Sequence, residues 1–240
     1  QAQDENFRAD KLASLGRMAS GIAHELNQPL NFIRVSAINL REGLKRGLYP
    51  AERAEEKLTA LLGQVERAGA IIRHMRRFGQ SETVTREPVV LRAVVDQALA
   101  LAGGQLALES ISVDTTRCGR HVIAVASPAL LEQVVLNLLL NGRDAVLTRL
   151  ETEPEPPGRI KIRARRDHDR AVLVIEDNGT GIPDDLMPML FEPFFTTKAP
   201  DKGMGLGLSI TFEIIQSMRG EIRASNTGKG ARFEIHLPAA

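Results

Sequence analysis

The chain has 240 residues, room for one large domain or two modest ones. Its 43% hydrophobic and 25% charged residues are ordinary for a globular protein and leave no place for a dominant disordered tail. A formal net charge of +1 sets up no strong field, which argues against nucleic acid or anionic lipid as a partner. The single cysteine, Cys118, excludes a disulfide within the chain and a zinc site built from cysteines, and suits a reducing compartment. No apolar run approaches the roughly 20 residues needed to span a bilayer, and no signal peptide is visible. The first ten residues are polar and begin without methionine. They suggest a piece of a longer parent, whose membrane anchor or sensory segment would lie elsewhere, with this part in the cytoplasm and making no membrane contact.

The first third reads as two helices. Leu12, Leu15, Ala19, Ile22, Leu26, Pro29, Ile33, Ser36 and Leu40 alternate steps of three and four, the rhythm of a bundle seam with Ser36 its one polar member. Leu58, Leu61, Val65, Ala68, Ile72 and Met75 repeat the pattern, and Gly47 and Pro50 mark the turn between. Two antiparallel helices bury little surface alone, so a homodimeric four-helix bundle is expected. Pro29 removes a backbone donor and should bend the first helix just before it.

Residues 79–88 are polar and read as a linker, which divides the chain into domains at 1–81 and 82–240. Beyond it, residues 91–102 read as a helix, 111–114 and 122–125 as short strands, and 128–150 as a long apolar helix. The acidic, proline-rich stretch 151–158 reads as a surface loop. Residues 160–166 and 171–176 alternate like paired strands, 205–218 read as a helix, and 221–225 and 231–237 as closing strands. Strands with helices to one side make an α+β fold, an α/β sandwich following a helical hairpin.

Several residues stand out chemically. With Ile22 and Leu26 on the seam, His24 falls on the outward face, and Gln28 lies one turn further along the same face. An exposed histidine on a bundle is also an ordinary surface residue, and Glu25 beside it a solvated one. Asn137 and Asn141 lie one turn apart on an apolar helix, where amides need partners, whether a ligand or neighbouring backbone. Asp177-Asn178-Gly179-Thr180-Gly181-Ile182 follows a strand and suits a tight turn. Three of the eight phenylalanines cluster in Phe191-Glu192-Pro193-Phe194-Phe195-Thr196-Thr197-Lys198, where core packing is one explanation. Gly203-Met204-Gly205-Leu206-Gly207-Leu208-Ser209-Ile210 places alternating glycines at a helix start, leaving amides free to face phosphate oxygens.

Taken in order, these stretches resemble the five conserved boxes of sensor histidine kinases over roughly Lys11 to Pro238. His24-Glu25-Leu26-Asn27-Gln28-Pro29-Leu30, with Leu15-Gly16-Arg17-Met18-Ala19 upstream, is similar to the H-box. The resemblance implies that His24 is the phosphoacceptor and that Glu25 deprotonates or orients its imidazole. It implies that Gln28 orients a water for dephosphorylation of the partner. The stretch 137–145 resembles the N-box, with Gly142 where alanine is usual, and implies Asn141 as the Mg²⁺ ligand. Residues 177–182 resemble the G1 box, with Asp177 accepting from the adenine amino group and Thr180 where proline or arginine is commoner. Residues 191–198 resemble the F-box, the opening of a lid from which Lys198 reaches the terminal phosphates; a solvated lysine is the alternative. Residues 203–210 resemble the G2 box, with Met204 where threonine or serine is common and the amides of Gly205 and Leu206 at the phosphates.

The same likeness puts Asn137, Asp144, Gly179, Gly181, Phe191, Thr197, Gly203 and Gly207 around the nucleotide. It implies a fold of the Bergerat (GHKL) ATP-binding type, ATP and Mg²⁺ as cofactors, and a response regulator receiver domain as partner. In the related gyrase and Hsp90-type ATPases a glutamate four residues before the metal-binding asparagine activates water. Here that position is Asn137, and an amide cannot act as a general base. A degenerate kinase acting as a scaffold is the other rival. The remaining histidines, His74, His121, His168 and His236, lie in no metal-binding spacing.

Overall fold

The structure, a computed structural model, describes residues 26–79, 85–119, 121–193, 195–197 and 205–240. The chain divides into two compact units, residues 1–82 and 83–240. No helix among the described residues is long and apolar enough to cross a membrane.

The first unit is a helical hairpin of α1, described over residues 26–45, and α2, Ala51–Gly79. Helix α1 closes on a Schellman arrangement: the Leu48 amide donates to the Gly43 carbonyl at 2.8 Å and the Gly47 amide to that of Leu44 at 3.1 Å. Gly47 stands at φ +64°, the left-handed conformation such a stop requires and one that costs glycine little. On α1 the covered stripe is Leu26, Pro29, Ile33, Ser36 and Leu40, the expected seam.

On α2 the covered stripe differs from the expected one. It runs through Ala54, Lys57, Leu61, Gln64 and Ala68, whereas Leu58, Val65 and Ile72 are about half exposed. Only Leu61 and Ala68 of the expected seam face inward; the side chain of Met75 lies outside the described residues. The apolar face of α2 is wider than one partner helix covers, and a strict three-four count follows its middle rather than its inner edge.

The second unit is a five-stranded sheet in the order β2-β4-β5-β7-β6 with a separate two-stranded ladder, β1-β3. In chain order these are β1 (Glu87–Val90), α3 (Leu91–Leu108), β2 (Ser112–Cys118), β3 (Ile123–Ala126), α4 (Pro128–Thr152), β4 (Arg159–Asp167), β5 (Arg170–Asp177), α5 (Gly207–Ser217), β6 (Glu221–Thr227) and β7 (Gly230–Pro238). Strands β4, β5, β7 and β6 pair antiparallel; β2 joins β4 parallel.

One face of the sheet carries Ile160, Ile162, Leu173, Ile175, Phe233, Ile235 and Ile222. They form a single core with Leu91, Val95 and Leu106 of α3, Leu131, Val135, Leu138 and Leu139 of α4, and Ile214 and Ile215 of α5. Strand β5 is buried on both faces, since Val172, Val174 and Glu176 on the opposite side are covered too. The arginines of neighbouring strands lie over it: Glu176 is paired with Arg232 and lies 3.4 Å from Arg163. Cys118 is buried, and burial pushes its thiol above the usual range, so it packs as a small apolar residue.

Two expectations are corrected. The stretch read as linker through Pro88 ends in strand β1, whose Pro88 lies opposite Val125. Strand β1 pairs with β3 alone among the described strands, so its other side is open and a proline without a donor is tolerated there. Strand β2 extends to Cys118, past the expected end at Asp114. Its register shifts between Asp114 and Arg117, where the Asp114 carboxylate accepts from the Thr116 amide at 3.0 Å and hydroxyl at 2.7 Å. That polar irregularity hid the strand from the alternation rule.

Candidate functional site

The chemistry gathers where the end of β5, the middle of α4 and the start of α5 meet. Asp177 closes β5 and is only 8% exposed. Its Oδ1 accepts from the Gly179 amide at 2.8 Å and the Ala231 amide at 3.3 Å. Burial pushes the Asp177 carboxyl up, and these two hydrogen bonds pull it back down. Among the described residues both side-chain bonds fall on Oδ1, which leaves Oδ2 for a ligand donor.

The turn after Asp177 is pressed against α4. A Cβ on Gly179 would stand 2.5 Å from the Ala145 carbonyl carbon, so only glycine lets the loop approach the helix backbone this closely. Gly142 faces Asp177 across the same junction, and a Cβ there would meet that of Asp177 at 3.4 Å. Asn178 turns away: it accepts from the Arg159 amide at 2.8 Å and donates to the Pro157 carbonyl at 2.9 Å, fastening the loop before β4.

Asn137 and Asn141 rise from α4 one turn apart. The Asn137 carboxamide donates to the Thr211 hydroxyl at 2.9 Å, and its Oδ1 lies 2.6 Å from where a Gly207 Cβ would be. Asn137 therefore docks the first turn of α5, and Gly207 is small because that amide needs the space. Thr211 is 1% exposed and was missed by sequence reasoning. The available signal was a pair of hydroxyls, Ser209 and Thr211, among the apolar residues that open the helix. Asn141 is half-buried, and no described residue bonds its side chain. Asp144 accepts from Arg143 Nε at 2.9 Å and Nη2 at 2.6 Å, which neutralises its charge locally.

Gly205 has φ +65°, and buried Leu206 leads into α5, accepting from the Ile210 amide at 3.0 Å. The first-turn amides of α5 have no partner within the helix, as at any helix start, and form an electropositive end. Phe191 is half-buried on the core, its ring 5.5 Å from that of Phe212 on α5, so packing accounts for its position. Thr197 is exposed, and Gly181 is partly covered with φ +73°. Gln28 is exposed on α1. The sites expected at His24, Glu25, Lys198 and Gly203 lie outside the described residues. The described residues bring together Asn137, Asn141, Gly142, Asp177, Gly179 and Gly207 within one unit.

Comparison with known proteins accounts for both units. Residues 14–84 match the His Kinase A (phospho-acceptor) domain, and residues 126–240 match the histidine kinase-, DNA gyrase B-, and HSP90-like ATPase. The chain belongs to the histidine kinase family. The ATPase match carries ATP binding with it. Among curated relatives, the two-component sensor PprA of Pseudomonas aeruginosa is 35% identical over 246 residues, covering 100% of this chain and 26% of that protein. The C4-dicarboxylate transport sensor protein DctB of Rhizobium meliloti is 34% identical over 240 residues, covering 99% of this chain and 37% of that protein. The kinase chain thus spans well under half the length of these relatives.

Among solved structures, the catalytic domain of histidine kinase ThkA superposes with a TM-score of 0.54 at 26% identity, covering 64% of this chain and 95% of that one. ThkA in complex with the response regulator protein TrrA matches with a TM-score of 0.80 at 22% identity, over 100% of this chain and 66% of that one, a likeness of fold. The helical hairpin followed by an α/β nucleotide-binding sandwich is the expected architecture.

Proposed function

We propose that this kinase core transfers the γ-phosphoryl group of ATP to an imidazole nitrogen of His24 and then to an aspartate on a response regulator receiver domain. The observation that carries the nucleotide half is the meeting of Asp177, the Gly179 turn, Asn141 and the α5 N-terminus at one end of the second unit. Asp177 Oδ2 would accept from the adenine amino group, and the amides of Gly205 and Leu206 would face phosphate oxygens. Asn141 fits a magnesium ligand: its half-buried carboxamide oxygen has no partner among the described residues, and hard cations take oxygen donors. Bound there, Mg²⁺ would offset the charge of the phosphates. Lys198 and Gly203 are assigned to the lid and phosphate loop on the motif alone.

In the phosphoacceptor half, Glu25 would favour the reactive tautomer of His24, and Gln28 would hold a water for dephosphorylation of the regulator. Dimerisation through the hairpin is supported by the half-exposed Leu58, Val65 and Ile72, spaced by seven along α2. We assign the core to the cytoplasm, where ATP is available. Simple ATP hydrolysis is disfavoured by Asn137, which replaces a possible base with an amide already bonded to Thr211.

Incubation with γ-labelled ATP tests the reading. The label should survive base and be lost in acid, as a phosphoramidate is, and His24→Ala should abolish it while leaving ATP affinity within about twofold. Normal labelling of the His24→Ala protein would overturn the assignment.

A further inference from the structure

Beside the loop that follows Asp177, strand β6 carries Asn226 next to its last residue. Its Oδ1 accepts from the Ile182 amide at 2.8 Å, and its Nδ2 donates to the Ile182 carbonyl at 2.6 Å. One carboxamide thus satisfies both backbone groups of a residue that no strand pairs, as a neighbouring strand would. The same Nδ2 lies 3.5 Å from Asp184 Oδ1. Gly181, just before the clamped residue, has φ +73°, and a Cβ on it would stand 3.2 Å from Asn226 Oδ1. Ile182 in turn packs its side chain on the core. The loop from Gly179 to Ile182 is therefore held at two ends, by Ala145 of α4 at Gly179 and by Asn226 at Ile182.

We propose that Asn226 is a positioning residue for nucleotide binding, acting through the Ile182 backbone to set the loop that carries Asp177. The inference rests on the nucleotide-site reading above. The clamp needs a group that donates and accepts from one short side chain. Aspartate is isosteric but cannot donate when ionised, and it would face both the Ile182 carbonyl and Asp184 with like charge. Asn226 is itself exposed, so its replacement removes no core packing and should leave the fold intact.

The 240-residue protein and its Asn226→Ala and Asn226→Asp variants would be compared in three measurements. Amide hydrogen exchange without nucleotide should show Ile182 slowed in the parent protein and about tenfold or more faster in Asn226→Ala, with core β5 amides unchanged. Displacement of a fluorescent nucleotide by ADP should show affinity lowered about five- to twentyfold in Asn226→Ala and at least as much in Asn226→Asp. Autophosphorylation should show KM for ATP raised similarly, with kcat within about twofold. Unchanged exchange at Ile182, or unchanged ADP affinity in both variants, would overturn the proposal. So would a fall in kcat accompanied by faster exchange throughout β5, which would mark a structural role. Failure of the parent protein to bind ADP would instead remove the nucleotide-site reading, and this proposal with it.

Discussion

At Asp177 burial and hydrogen bonding pull in opposite directions. The carboxyl is raised because it is 8% exposed, and the amides of Gly179 and Ala231 restrain the rise. A raised carboxyl favours the protonated form in the folded state. Its contribution to stability is therefore fullest below the unfolded value of 3.8 and is lost as pH climbs through the folded value. Asp177→Asn keeps an oxygen for both amides and removes the buried charge. The nucleotide-free variant should melt higher than the parent at neutral pH and should lose this part of the acid-range pH dependence. Its amide would also point a donor at the adenine amino group. Loss of a hydrogen bond to a charged acceptor is worth about 1.5–3 kcal/mol, so ATP should bind roughly ten- to a hundredfold more weakly. Calorimetric titration and thermal melts across pH 4–8 check both halves, and a stability gain without an affinity loss would remove Asp177 from the adenine site.

Helix α4 shows how one element mixes two demands. Leu131, Val134, Val135, Leu138, Leu139 and Val146 face the core, while Asn137, Asn141 and Gly142 are spaced to reach α5, the open site and Asp177. Its two glycine contacts differ in kind. At Gly142 a Cβ would touch Asp177 and Ile160 at 3.4 Å, a contact the packing accepts, whereas at Gly179 it would press on helix backbone at 2.5 Å. Gly142→Ala should therefore stabilise the domain by about 0.5–1 kcal/mol through helix propensity, a rise of roughly 1–4 °C in Tm, with nucleotide affinity retained. Gly179→Ala should cost about 1–3 kcal/mol and weaken nucleotide binding, since the loop must lift from α4. Thermal denaturation of the two proteins checks the contrast.

The hairpin carries its prediction at the scale of the whole molecule. Among the described residues of α2, the hairpin covers Ala54, Lys57, Leu61, Gln64, Ala68 and Gly69 and leaves Leu58, Leu62, Val65 and Ile72 half exposed or more. Helix α1 likewise exposes Leu30, Phe32, Val35, Ile38 and Leu44. Exposed apolar surface on this scale calls for a second copy. Val65→Glu would place a charge in that seam, and sedimentation should show the dimer replaced by monomer, with ADP affinity of the second unit within about twofold. A dimer that survives the substitution would shift the interface to α1.

Much of this protein was legible in the chain itself. Periodicity placed every long helix and all but one strand, because a buried stripe imposes its period on apolar residues whatever surrounds it. Asn137 and Asn141 stood out because amides are rare on an apolar helix, whereas the roles expected at His24 and Asp177 came with the family resemblance. Tertiary structure decided what depends on a neighbour distant in sequence. Pro88 belongs to a strand only because Ile123–Ala126 lies beside it. The inner face of α2 follows from where α1 rests. Gly207 is small because of Asn137, seventy residues earlier in the chain, and the loop residue Ile182 is held by Asn226 of strand β6. A side chain's own type states what it needs, such as a donor, an acceptor or room. Which atom meets that need is set only when the chain has folded back on itself.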